Sequence, residues 1–126
     1  YENGQLGLAA MLSSEVDIVF SDVQMPVMNG DVMVREFRAV EATLLQTTTS
    51  HTLQHITLHQ PATRTHKQTI VAVTANGAEF TDLLGCGFDS VAPKPVSKKT
   101  LWSIVEVYLD EKEGLQAVPS IPRVVQ

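Results

Sequence analysis

The chain of 126 residues is long enough for one ordinary domain and too short for two. Its 44% hydrophobic and 18% charged content suits a soluble globular domain with a core, and a net charge of -5 argues against a direct grip on DNA or RNA, which takes a basic footprint. No apolar run is long enough to cross a bilayer, no signal peptide opens the chain at Tyr1-Glu2-Asn3-Gly4, and the single Cys86 cannot close an internal disulfide, so a reducing, cytoplasmic setting is expected.

In chain order, Leu6 to Leu12 is a weak helix candidate, with Leu8 and Leu12 one turn apart. Val16 to Val23 is a β-branched run suited to a strand buried on both faces. Met25-Pro26 breaks the chain and Asn29-Gly30 marks a turn. From Asp31 the spacing of Met33, Phe37, Val40 and Leu44 predicts a helix, with Arg35, Glu36, Arg38 and Glu41 on its water-facing side.

The stretch from about 46 to 68 is crowded with Thr, Gln and His and is far longer than a usual connection. It reads as a polar insertion projecting away from the strand ends used for chemistry. Ile70 to Val73 is a second buried strand, ending at Thr74. A short helix around Phe80, Leu83 and Leu84 stops at Gly85 and Gly87, and Ser90 to Ala92 is a brief strand running into Lys94-Pro95. Ser97 is the expected N-cap of the last helix, with Val96 packing on Leu101 and an apolar face of Leu101, Ile104, Val105 and Tyr108. Residues 113–126, with Pro119 and Pro122, read as a tail or linker.

Alternation of helix and strand implies a parallel sheet with helices on both faces. In such sheets the ligand site lies at the carboxyl ends of the strands, where Asp22, Thr74 and Lys94 all stand. A carboxylate, a hydroxyl and an ammonium converging there suit phosphoryl transfer. The carboxylate can attack phosphorus to form an acyl phosphate, while the other two groups and a divalent cation meet the negative charge.

The run Val19-Phe20-Ser21-Asp22-Val23-Gln24-Met25-Pro26-Val27-Met28-Asn29-Gly30 resembles the phosphoacceptor strand and loop of two-component receiver domains. Val73-Thr74-Ala75 resembles that family's switch-hydroxyl strand end, Lys94-Pro95 its lysine and cis-proline, and Asn3-Gly4 the turn before its second helix. The likeness runs from about Asn3 to Leu109, making residues 1–112 a partial receiver domain with the 46–68 insertion. It implies a flavodoxin-like parallel sheet of strand order 2-1-3-4-5. It also implies phosphorylation of Asp22, a hydrogen bond from Thr74 to the phosphoryl group, charge pairing by Lys94, space beside Ala75, and Mg²⁺ on Asp22 and the Gln24 backbone carbonyl. The implied partner is a histidine kinase or histidine phosphotransfer protein.

Two departures modify that expectation. The family's first two strands and first helix, including the paired acidic residues that hold Mg²⁺, have no counterpart in this sequence, which also begins without Met and is expected to be truncated. Glu15 and Asp17 lie at the wrong end of the Asp22 strand to replace them. Weak or absent phosphorylation is therefore expected, and the Asp22 strand is expected to be an exposed edge. Val91 stands where many receivers carry a rotating Tyr or Phe, which points to a hybrid histidine kinase.

The rival reading is a truncated or degenerate receiver that only binds partners. A haloacid-dehalogenase-like phosphatase would need a second Asp where Gln24 stands. His51, His55 and His59 could stack on a helix and bind Zn²⁺, although a compositionally biased loop explains them as well. Cys86 reads as a small packed residue and Trp102 as edge-of-core packing or a partner contact.

Overall fold

The computed structural model describes residues 1–47, 64–113 and 124–125. The elements are α1 (Gly4–Ser13), β1 (Ile18–Asp22), α2 (Gly30–Thr47), β2 (Thr69–Thr74), a 3-10 turn (Gly77–Glu79) leading into α3 (Phe80–Cys86), β3 (Ser90–Pro93), α4 (Lys98–Glu113) and β4 (Val124–Val125). The sheet order is β3-β2-β1-β4 and every pairing is parallel. Parallel neighbours need a crossover, and the helices supply it.

The β-branched runs sit in the middle of the sheet because both of their faces are covered. Val19, Ile70 and Ala72 face one way, onto Met11, Met33, Val34, Phe37 and Leu83 of α1 to α3. Ile18, Phe20, Val71 and Ala92 face the other way, onto Val105 of α4. Each large side chain buried in these two layers contributes about 1.5–3 kcal/mol.

Local chemistry sets the helix ends. Asn3 caps α1 by accepting from the Leu6 N–H at 3.0 Å, and Ser97 caps α4 by accepting from the Thr100 N–H at 3.0 Å. Gly87 ends α3 with φ +117°, a conformation that L side chains rarely adopt. Val96, Leu101, Ile104 and Tyr108 pack partly buried around Val105, as the spacing predicts. Trp102 is 59% exposed, so it is not edge-of-core packing.

Three expectations are corrected. Glu41 does not face water: it is 2% exposed and bridges to Arg38 at 2.6 Å, while Val40 from the expected apolar stripe is exposed. The described end of the Thr/Gln/His-rich stretch does not project wholly into solvent either: Arg64 and Gln68 are among the largest fully buried side chains, while Thr65, His66 and Lys67 between them are exposed. His51, His55 and His59 lie outside the described residues. The Asp22 strand is not wholly an open edge, because β4 pairs with it at Ile18↔Val124 and Val19↔Val125. A β-branched pair suits an edge with unpaired N–H and C=O groups, but two residues are too short to show a period in sequence.

Arg38 organises the amino end of the sheet. Its guanidinium reaches Glu41 (2.6 Å), Asp89 (2.7 Å), and the carbonyls of Gln68 (2.7 Å) and Gly87 (2.9 Å). Asp89 also takes Lys67 at 2.6 Å and the Ile70 N–H at 2.8 Å. Arg64 donates to the Met11 carbonyl and lies 4.7 Å from the Phe37 ring centroid. Burial pulls its guanidinium below the ordinary value, while nearby Glu41 and Glu15 act in the opposite direction.

Candidate functional site

Register brings three strand ends level. Asp22 lies opposite Val73 of β2, and Thr74 of β2 lies opposite Pro93 of β3. Lys94 follows immediately and is held by its backbone, whose N–H donates to the Thr74 carbonyl at 2.7 Å. The Lys94–Pro95 peptide is cis, as the resemblance implies.

At this edge a cavity of about 150 Å³ is lined by Asp22, Gln24, Thr74, Ala75, Asn76 and Lys94. Every residue expected to act in the site is on that lining. The Asp22 carboxylate is held at both oxygens: Oδ1 accepts from the Gln24 N–H at 3.0 Å, and Oδ2 is ion-paired to Lys94 Nζ. The two side chains are 36% and 42% exposed, so the pair adds little to stability and keeps access to the cavity.

Thr74 is buried, and its hydroxyl oxygen accepts from the Asn76 N–H at 3.1 Å. That bond orients the oxygen and leaves the hydroxyl proton for donation. Asn76 is the lining residue that sequence reading passed over. Its side chain accepts from the Ala78 N–H at 3.1 Å and donates to Glu79 at 2.9 Å, opening the 3-10 turn. An Asn shortly before a short helix is the capping signal that could have found it.

The loop after Asp22 is tight. The Gly30 N–H donates to the Val23 carbonyl at 2.8 Å, and a Cβ on Gly30 would run into the Asp22 carbonyl oxygen. Only glycine allows that approach. Val27 has φ +68°, with the Met28 N–H donating to the Pro26 carbonyl at 2.7 Å, a strained γ-turn around a β-branched residue. It is also 79% exposed. Glu15 is at the opposite end of the sheet, accepting from the Thr65 N–H at 2.8 Å, and Asp17 precedes Ile18 at that same end.

No protein-family model matches the sequence, and no curated protein matches it. Solved structures do. A two-component response regulator from Clostridium difficile is 16% identical, with a TM-score of 0.62 over 87% of this chain and 72% of that one. The receiver domain of a sensor histidine kinase from Pseudomonas aeruginosa, described with a magnesium ion coordinated in its active-site cleft, is 20% identical, with a TM-score of 0.60 over 87% and 74%. The signal receiver domain of a signal transduction histidine kinase from Syntrophus aciditrophicus is 24% identical, with a TM-score of 0.55 over 96% and 74%. The fold is the flavodoxin-like fold of response-regulator receiver domains.

Proposed function

We propose that this chain is a receiver module of phosphorelay signalling, in which Asp22 takes a phosphoryl group from a phosphohistidine on a histidine kinase or histidine phosphotransfer protein. The observation that carries this reading is the convergence of Asp22, Thr74 and Lys94 on one cavity at the carboxyl ends of three adjacent parallel strands. Lysine or threonine alone would mean little; their common register gives them a shared target.

In the proposed step an Asp22 carboxylate oxygen attacks phosphorus. An O–P bond forms, the P–N bond breaks, and the donor imidazole leaves with the electron pair of that bond. The Gln24 N–H holds the carboxylate in place. Lys94, already at Asp22, follows the negative charge onto the phosphoryl oxygens, and the Thr74 hydroxyl donates a hydrogen bond to one of them. Ala75 leaves room beside the new group.

Mg²⁺ is the cation that the receiver resemblance implies, with Asp22 and the Gln24 backbone carbonyl as its ligands. The residues present do not fit a tightly held Mg²⁺. Asp22 is the one carboxylate on the lining, both its oxygens are engaged, and no group of three or more His, Cys, Asp or Glu suited to a metal occurs among the described residues. Charge neutralisation therefore falls to Lys94, and acceptance is slow. The same single carboxylate favours a second reading, a receiver-like domain that binds its partner without chemistry. Val91 in β3, aliphatic where many receivers carry Tyr or Phe, favours an origin in a hybrid histidine kinase.

Incubation with acetyl phosphate and Mg²⁺, followed by intact-mass measurement, tests the assignment. A partial phosphoryl adduct on the unaltered chain, absent from Asp22→Asn, is the expected result. An adduct that survives Asp22→Asn rules out Asp22 as acceptor. Complete absence of adduct, with phosphotransfer-protein binding retained, favours the binding-only reading.

A further inference from the structure

Every asparagine in the chain precedes a glycine: Asn3-Gly4, Asn29-Gly30 and Asn76-Gly77. Such a pair is self-reactive, because glycine carries no side chain to keep its backbone nitrogen from the neighbouring amide carbon. The fold treats the three pairs differently. Gly4 and Gly30 are buried at the starts of α1 and α2, packed against the Met28 and Asp22 carbonyl oxygens. The Gly30 N–H is also engaged, donating to the Val23 carbonyl at 2.8 Å. Asn76 and Gly77 are both exposed, and nothing beyond its own turn lies within 4 Å of where a Cβ on Gly77 would sit.

We infer that Asn76 is a modification site, where the chain deamidates itself and places a second carboxylate on the cavity that holds Asp22. The Gly77 nitrogen gives its proton to hydroxide and attacks the Asn76 amide carbon. An N–C bond forms, the C–Nδ2 bond breaks, and ammonia leaves with a proton taken from water. Water then opens the five-membered imide to aspartate or isoaspartate. The Ala78 N–H, donating to Asn76 Oδ1 at 3.1 Å, draws charge away from the carbon under attack. Only a 3-10 turn of three residues must open for the nitrogen to swing inward, whereas Gly4 and Gly30 begin packed helices of 10 and 18 residues. The product alters the site's edge. Asn76 Nδ2 donates to Glu79 at 2.9 Å, and a carboxylate in its place faces another carboxylate. That repulsion loosens the turn that follows the Asn76 N–H, the donor that orients the Thr74 hydroxyl.

The test holds the full chain in mildly alkaline, heavy-oxygen water, with and without guanidinium chloride, and locates the incorporated label by peptide mapping. In the folded chain, label enters at Asn76 about tenfold faster than at Asn3 or Asn29, and in denaturant the three rates converge. Gly77→Ala, whose methyl meets open space, keeps the fold and slows labelling at Asn76 about tenfold. Hydrogen exchange at residues 77–79 is faster in Asn76→Asp than in the unaltered chain. No label at Asn76, equal rates at the three pairs of the folded chain, or an Asn76 rate unmoved by Gly77→Ala each overturns the proposal. Unchanged exchange in Asn76→Asp overturns the loosening of the turn.

Discussion

At the amino end of the sheet, Glu41, Arg64 and Gln68 are buried, and Arg38 and Asp89 are nearly so, each joined to several partners. At the carboxyl end, Asp22 and Lys94 are half-exposed, held to each other and to one backbone N–H, and they border a cavity. Both ends concentrate charge, but at the amino end only Lys67 stands in solvent while the carboxylates and guanidiniums around it are largely buried. A buried charge with every partner inside the fold has nothing left to offer a ligand, and removing one member strands the others. An exposed pair is easily parted, which is what a reacting carboxylate needs. Burial and partner count, more than charge itself, separate the structural cluster from the reactive one.

The sharpest way to break this contrast is Asp22→Asn. The phosphoryl adduct should disappear from the mass spectrum, while stability in urea changes by less than about 1 kcal/mol. At the other end Glu41→Ala should do the reverse. Removing a buried partner of Arg38 and of the Gln68 N–H should lower unfolding free energy by about 3 kcal/mol, read as an earlier urea midpoint. Lys94→Ala should slow phosphoryl acceptance roughly 100-fold, by labelling time course, with a stability change below about 1 kcal/mol. The smallest effect belongs to Val27→Gly. Relief of the positive φ should raise stability by up to about 1 kcal/mol in thermal melts, since the exposed valine gives up little burial.

The reactive end was legible because its residues terminate strands, and strands announce themselves as β-branched runs: Val16 to Val23 contains β1, and Ile70 to Val73 lies within β2. The helix from Asp31 was legible through Met33, Phe37 and Leu44, all buried. The structural end was not legible, because its partners meet from across the chain. Arg38 and Asp89 are 51 residues apart, and periodicity, which sees only neighbours, placed Arg38 and Glu41 outside. Arg64 and Gln68 belong to a stretch whose composition reads as solvated, and nothing local marks them as buried. The Val124–Val125 pairing lies beyond two prolines and is shorter than any period.

Arg64 has one more consequence. It ties the chain's return from the 46–68 stretch to the Met11 and Ser14 carbonyls and to the Gln68 side chain. One planar guanidinium thus fastens segments that lie 50 and 53 residues apart in sequence. Lysine, a point charge on a flexible stem, could not hold all of these acceptors at once, so the junction between the end of α1 and the approach to β2 depends on that residue being arginine.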